Sequence, residues 1–205
     1  MSYWINEWNL NKIRETGGDH FPVVYHQTEK YLSDQMGVFH GITNDGLLLI
    51  FACAVAFDLA PYGNSATTWK LEGLLQAPLL DCSDYCVLAT RLFRKARPDA
   101  KVDIRMAGWD EHDPHQKRAV GNHAQLLVEN AGVPLLLDPT VPLAAISSYS
   151  DLKAGKRVDG NFVKVLGERL DKIPKFAGLV QSAIIDGRFK DALPLYLRTE
   201  KEFAP

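Results

Sequence analysis

"LLDCSDYCVLATRLFR", Leu79 to Arg94, sets two of the chain's three cysteines four residues apart in a segment whose apolar positions recur at helical spacing. Tyr85, Leu88, Ala89, Leu92 and Phe93 fall on one stripe, so the spacing predicts a helix over Ser83 to Arg94 that buries that stripe. Cys82 then stands at the N-terminus of this helix, where unpaired backbone N–H groups and the positive end of the helix dipole favour an anion. The thiolate is the nucleophilic form of cysteine, so this position makes Cys82 a candidate nucleophile. Cys86, one turn further in, gains less from that field and reads as a packing residue. The rival reading is a metal clip in which Cys82 and Cys86 join His112 and His115 of "DEHDPHQ" around zinc. Structural zinc sites favour closer cysteines on tight turns, and the histidine-bearing segment has the composition of a solvated loop, so no metal is expected.

Downstream of the helix, "VDIRMAG" alternates Val102, Ile104 and Met106 with Asp103 and Arg105, the pattern of a half-buried strand. "WDEHDPHQKRAVGN" reads as a charged loop. "HAQLLVEN" and "VPLLLDP" then flank Asn130-Ala131-Gly132 as the two strands of a hairpin. A two-residue loop centred on Asn130 and Ala131 sets His123 directly opposite Asp138, with Cβ atoms ~5 Å apart, close enough for a carboxylate to orient an imidazole. A slip of one residue would send the two to opposite faces. A helix-terminal thiol, a histidine to take its proton and a carboxylate to hold the histidine have the logic of a nucleophile, base and orienter.

These blocks resemble the transglutaminase-like superfamily. In its nucleophile helix a cysteine is followed by an acidic residue at +2, an aromatic at +3, a small residue at +4, and later by Leu, Leu and Arg. Asp84, Tyr85, Cys86, Leu88, Leu92 and Arg94 fill those places behind Cys82. "HAQLLVENAGVPLLLDPT" is similar to the family's second block, a histidine strand, a turn, and a strand ending in Asp-Pro-Thr, which assigns His123 and Asp138 to the triad. Gln125 stands where the family has Trp, and Asp81 where Gly is common. The resemblance covers Gln76 to Thr140 and implies attack of Cys82 on an amide or ester carbonyl through a thioester acyl-enzyme. Gln76, six residues before Cys82, resembles the oxyanion-hole glutamine of papain-like enzymes, with the backbone N–H of Cys82 as second donor.

Around this core, the apolar positions Trp4, Ile5, Trp8 and Ile13, then Val24, Tyr25, Tyr31 and Leu32, predict two helices between Ser2 and Met36, interrupted at Gly17 and Gly18. "GVFHGITNDGLLLIFACAVAF" reads as two strands about a turn at Asn44-Asp45-Gly46, the second buried on both faces. "NSATTWKLEGLLQ" reads as a capped helix with Trp69, Leu71, Leu74 and Leu75 inward, ending near Pro78. After about Ser147 a polar segment leads into helix-like stretches at 162–170, 176–185 and 189–197.

Composition sets the outer bounds. A chain of 205 residues with 46% hydrophobic content suits one domain with a sizeable core. Its formal net charge of −2 gives no electrostatic reason to expect nucleic acid. The N-terminus does not read as a secretory signal, and the apolar run Leu47–Phe57 is about half the ~20 residues that span a bilayer, so a cytoplasmic protein without a membrane partner is expected. An odd number of cysteines argues for a reducing compartment.

The expectation is an α+β protein with a papain-like, transglutaminase-like core, its nucleophile helix packed on an antiparallel sheet and extra helices at both termini. It divides into N-terminal helices and hairpin (1–63), catalytic core (64–146) and helical C-terminal region (147–205). The expected activity is cofactor-free thiol chemistry on amide bonds of a peptide or protein, as protease, deamidase or transglutaminase, with Cys82, His123 and Asp138 catalytic. An arylamine N-acetyltransferase-like enzyme and an inactive peptide-binding module are the alternatives.

Overall fold

The computed structural model describes residues 5–34, 41–63, 66, 68–111, 119–140, 143–146, 160–161 and 189–198. The N-terminal region holds the two helices that its spacing predicts, α1 (Glu7–Glu15) and α2 (Phe21–Asp34). Asn6 caps α1 by accepting the Asn9 N–H, and the chain leaves the helix through Gly17 and Gly18, both at positive φ. Leu10, Ile13, Phe21 and Val24 carry the inward faces of the pair.

The next element corrects the sequence reading. No strand pair turns at Asn44-Asp45-Gly46, because Asn44–Leu59 is one helix, α3, whose first turn contains those residues. Thr43 accepts the Gly46 N–H on its hydroxyl and closes the N-terminus, while the Leu and Ala that follow are strong helix formers. Every residue from Gly46 to Leu59 is buried, so the segment carries no polar face and its pattern matches a doubly buried strand equally well.

The capped helix expected after Gly63 shrinks to α4 (Leu71–Gln76), which has no side-chain cap at Lys70. Leu71, Leu74 and Leu75 are buried as predicted, but Trp69 precedes the helix. The reason lies in the following helix, α5 (Cys82–Ala96), where the Asp84 carboxylate takes the Ala66 N–H and the Trp69 Nε1–H and so holds Ala66 and Trp69 outside a helix.

Among the described residues six strands follow, β1 (Val102–Glu111), β2 (Ala119–Val128), β3 (Leu135–Asp138), β4 (Leu143–Ile146), β5 (Gly160–Asn161) and β6 (Phe189–Arg198), ordered β5-β4-β3-β2-β1-β6 with antiparallel pairings. The expected charged loop is strand at both ends, 109–111 and 119–122, and its middle, 112–118, with His112 and His115, lies outside the described residues. The helical expectation for the C-terminal region fails at Phe189–Leu197, which is strand. Pro194 disfavours a helix there, and it falls where the β1–β6 register shifts, a break that needs no ladder N–H. The stretches 162–170 and 176–185 lie outside the described residues.

The architecture is α+β. Helix α5 packs on β1 and β2, and α3 packs on α5 and β3. Val102, Ile104, Ala124, Leu126, Val128, Leu135 and Leu137 join Leu48, Phe51, Val55, Tyr85, Leu88 and Leu92 in a single core. Among the described residues, no helix is long and apolar enough to cross a membrane.

Candidate active site

The start of α5 is built by two carboxylates. Asp81 accepts the Asp84 N–H at 2.9 Å and Asp84 returns the bond from the Asp81 N–H at 3.0 Å, a reciprocal capping box. The same Asp84, wholly buried, accepts from Ala66 N–H at 2.7 Å and Trp69 Nε1–H at 2.8 Å. Burial pushes its carboxyl above the usual carboxylate range, against the pull of the Ala66 and Asp81 N–H groups. The effect is to tie the loop before α4 to the first turn of α5. Cys82, the first residue of that turn, is half-buried and not disulfide-bonded.

His123 and Asp138 come from neighbouring strands and are both almost wholly inaccessible, at 2% and 1% exposure. His123 Nε2–H donates to Asp138 Oδ2 at 2.6 Å. The register that achieves this differs from the expected one by two residues. The turn closes on a bond from Val133 N–H to Asn130 C=O, with Ala131 and Gly132 both at positive φ, which moves its centre one residue along the chain. Leu126 then pairs with Leu137, so the next step sets Gln125 rather than His123 across from Asp138. A two-residue shift preserves the face, because side chains alternate with period two, and His123 reaches Asp138 on the diagonal.

The Cys82 side chain lies beside the same imidazole, near enough to favour its charged form. Burial alone would disfavour a charged ring, but the Asp138 carboxylate beside it, its hydrogen bond, and the contact with Cys82 outweigh burial and push His123 up to about 10. The structure therefore brings Cys82, His123 and Asp138 together, with the imidazole bonded to the carboxylate and the Cys82 side chain beside it. Gln76 is the last residue of α4 and is exposed.

The surroundings sort the remaining thiols. Cys53 on α3 and Cys86 on α5 are buried, and burial first, then the Asp138 charge, pushes both thiols up, so they stay protonated. Cys86 is a core residue, in agreement with its reading from the sequence. Tyr62 packs its ring near that of Tyr85, with centroids 6.4 Å apart. Burial, then the nearby Cys82 and Asp81, push its hydroxyl up to about 12. Among the described residues no group of histidine, cysteine and carboxylate side chains is arranged to hold a metal ion.

Two polar residues at the site escape sequence reasoning. Arg105, expected on the solvent side of a half-buried strand, is 1% exposed and pairs in register with Gln125. Its Nη1 donates to Gln125 Oε1 at 3.1 Å, and Gln125 Nε2 donates to Asp138 Oδ2 at 3.2 Å. The available signal was the polar Gln125 inside the apolar run "AQLLV", a buried amide that requires partners. No family model matches the chain, and neither the curated proteins nor the solved structures contain a match to it.

Proposed function

We propose that the chain is a cysteine-dependent acyl-transfer enzyme with a transglutaminase-like, papain-like core, acting on amide bonds of a peptide or protein. The observation that carries this reading is the imidazole of His123, bonded to the Asp138 carboxylate through Nε2, with the Cys82 side chain beside it. With Nε2 given to Asp138, Nδ1 is the nitrogen that takes the thiol proton, and the adjacent carboxylate favours the resulting imidazolium.

The thiolate of Cys82 attacks the carbonyl carbon and forms the C–S bond as the carbonyl electrons move to oxygen. The backbone N–H of Cys82, which has no partner within its own helix, and, by the resemblance to papain-like enzymes, the Gln76 amide are the donors proposed for that oxyanion. Collapse of the intermediate breaks the C–N bond, and the His123 proton leaves with the amine. Water or a second amine, deprotonated by His123, then attacks the thioester and restores the thiol. Acceptor choice separates hydrolysis from transfer.

Iodoacetamide labelling at neutral pH tests the reading. Cys82 is expected to alkylate fast and His123→Ala to slow it by at least about tenfold, while Cys53 and Cys86 react only after unfolding. Equal, slow labelling at all three cysteines, or a rate at Cys82 unaffected by His123→Ala, overturns the assignment and favours a binding module.

A further inference from the structure

Arg105 and Gln125 face each other across β1 and β2, both wholly buried. Burying a guanidinium beside a primary amide is costly unless their polar atoms are used, and here the amide is used at both ends. Arg105 Nη1 donates to Gln125 Oε1 at 3.1 Å, and Gln125 Nε2 donates to Asp138 Oδ2 at 3.2 Å. A guanidinium has donors only and a carboxylate acceptors only, so the orientation of the Gln125 amide is dictated from both sides. Oε1 must face Arg105, and Nε2 must face Asp138.

We propose that Gln125, oriented by Arg105, is a positioning residue for the acyl transfer, fixing the Asp138 carboxylate so that Oδ2 stays on His123. The assignment rests on the Cys82–His123–Asp138 reading and deepens it. Asp138 is held by three donors, two from β2 and one from the turn that follows its own strand. The Thr140 N–H reaches Oδ1 at 3.0 Å, while His123 Nε2 and Gln125 Nε2 share Oδ2. Without Gln125 the carboxylate can turn about its last bond, and the oxygen that orients the imidazole loses its second anchor. His123 then samples orientations that do not face the thiol, which costs rate rather than binding.

The test is acylation of the full chain by p-nitrophenyl acetate, followed across pH 5 to 9 with Cys82→Ala as the blank. Gln125→Leu is expected to lower the acylation rate constant by about 10- to 100-fold with less than about a twofold change in KM. Gln125→Glu keeps an acceptor for Arg105 but sets a second carboxyl against Asp138. Two carboxylates in contact resist joint ionisation, so the new residue supports Asp138 only while protonated. Its variant is expected to run near the parental rate at low pH and to lose it as pH rises, a limb absent from the parent.

A folded Gln125→Leu with parental rate and pH profile overturns the positioning role. Should that variant fail to fold, a Gln125→Glu profile that coincides with the parent's overturns it equally. Ester turnover that survives in Cys82→Ala sinks the acyl-transfer reading itself, and the positioning role with it. Failure of the Gln125 variants alone, in an enzyme still dependent on Cys82 and His123, sinks only the positioning role.

Discussion

Asp138→Asn preserves the shape of the side chain but not its capacity. Three N–H groups converge on this carboxylate, from Thr140 onto one oxygen and from His123 and Gln125 onto the other. An amide offers one acceptor atom. If its oxygen faces His123, its NH2 opposes the Thr140 N–H; if its oxygen faces Thr140, its NH2 opposes Gln125 and forces His123 into the tautomer that cannot take the thiol proton. Either arrangement orphans a buried donor, at about 1–3 kcal/mol.

The charge adds a pH-dependent part. His123 rises from 6.5 to about 10 in the folded chain, and at ~1.4 kcal/mol per tenfold in proton affinity this bounds its contribution to stability at about 5 kcal/mol. Because the folded value is the higher one, the contribution is complete below pH 6.5 and disappears as pH rises through about 10. The variant loses most of it, since burial then opposes the imidazolium without the carboxylate. Its stability deficit, measured by urea unfolding, is therefore expected to be largest near pH 6 and to shrink toward pH 10. Acylation by an activated ester is expected to fall by roughly 10²- to 10⁴-fold. An Asn variant that acylates as fast as the parent with Cys82 still the labelled site, or a deficit that does not narrow with pH, refutes the reasoning.

Asp84→Ala removes the reciprocal cap of α5 and orphans the Ala66 N–H and Trp69 Nε1–H, so a loss of about 2–4 kcal/mol is expected, together with a shift of Trp69 fluorescence; an unchanged melting temperature contradicts the tie described above. Thr43→Ala is expected to cost about 1 kcal/mol as the loss of a helix cap, readable by thermal melting, whereas an exposed turn residue between strands would be nearly neutral there.

Much of the candidate site was legible because its signals are local. The stripe from Tyr85 to Phe93 and the acidic residues around Cys82 determine where α5 begins and which thiol stands at its end. The hairpin about Asn130-Ala131-Gly132 was legible in the same way, and so was the shared face of His123 and Asp138, which survives any even shift of register.

Where the reading failed, the deciding partner lay far along the chain. Helix α3 and a doubly buried strand share one pattern when no side of the segment meets water, and what distinguishes them is packing against α5 and β3 together with the Asn130 side chain holding the Thr43 N–H at 2.8 Å. Ala66 and Trp69 stay outside α4 because a carboxylate on α5 claims a donor from each. Phe189–Arg198 is strand because β1 offers it an edge.

Capping, periodicity and turn preference act over a few residues, so the helix that starts at Cys82, the hairpin and the three candidate side chains were legible from local pattern alone. Only the tertiary structure decided that Arg105 is buried, that Gln125 bridges it to Asp138, and that three donors meet on one carboxylate. Those facts depend on cross-strand register and on which polar groups lose water when distant segments meet, and no local pattern encodes either.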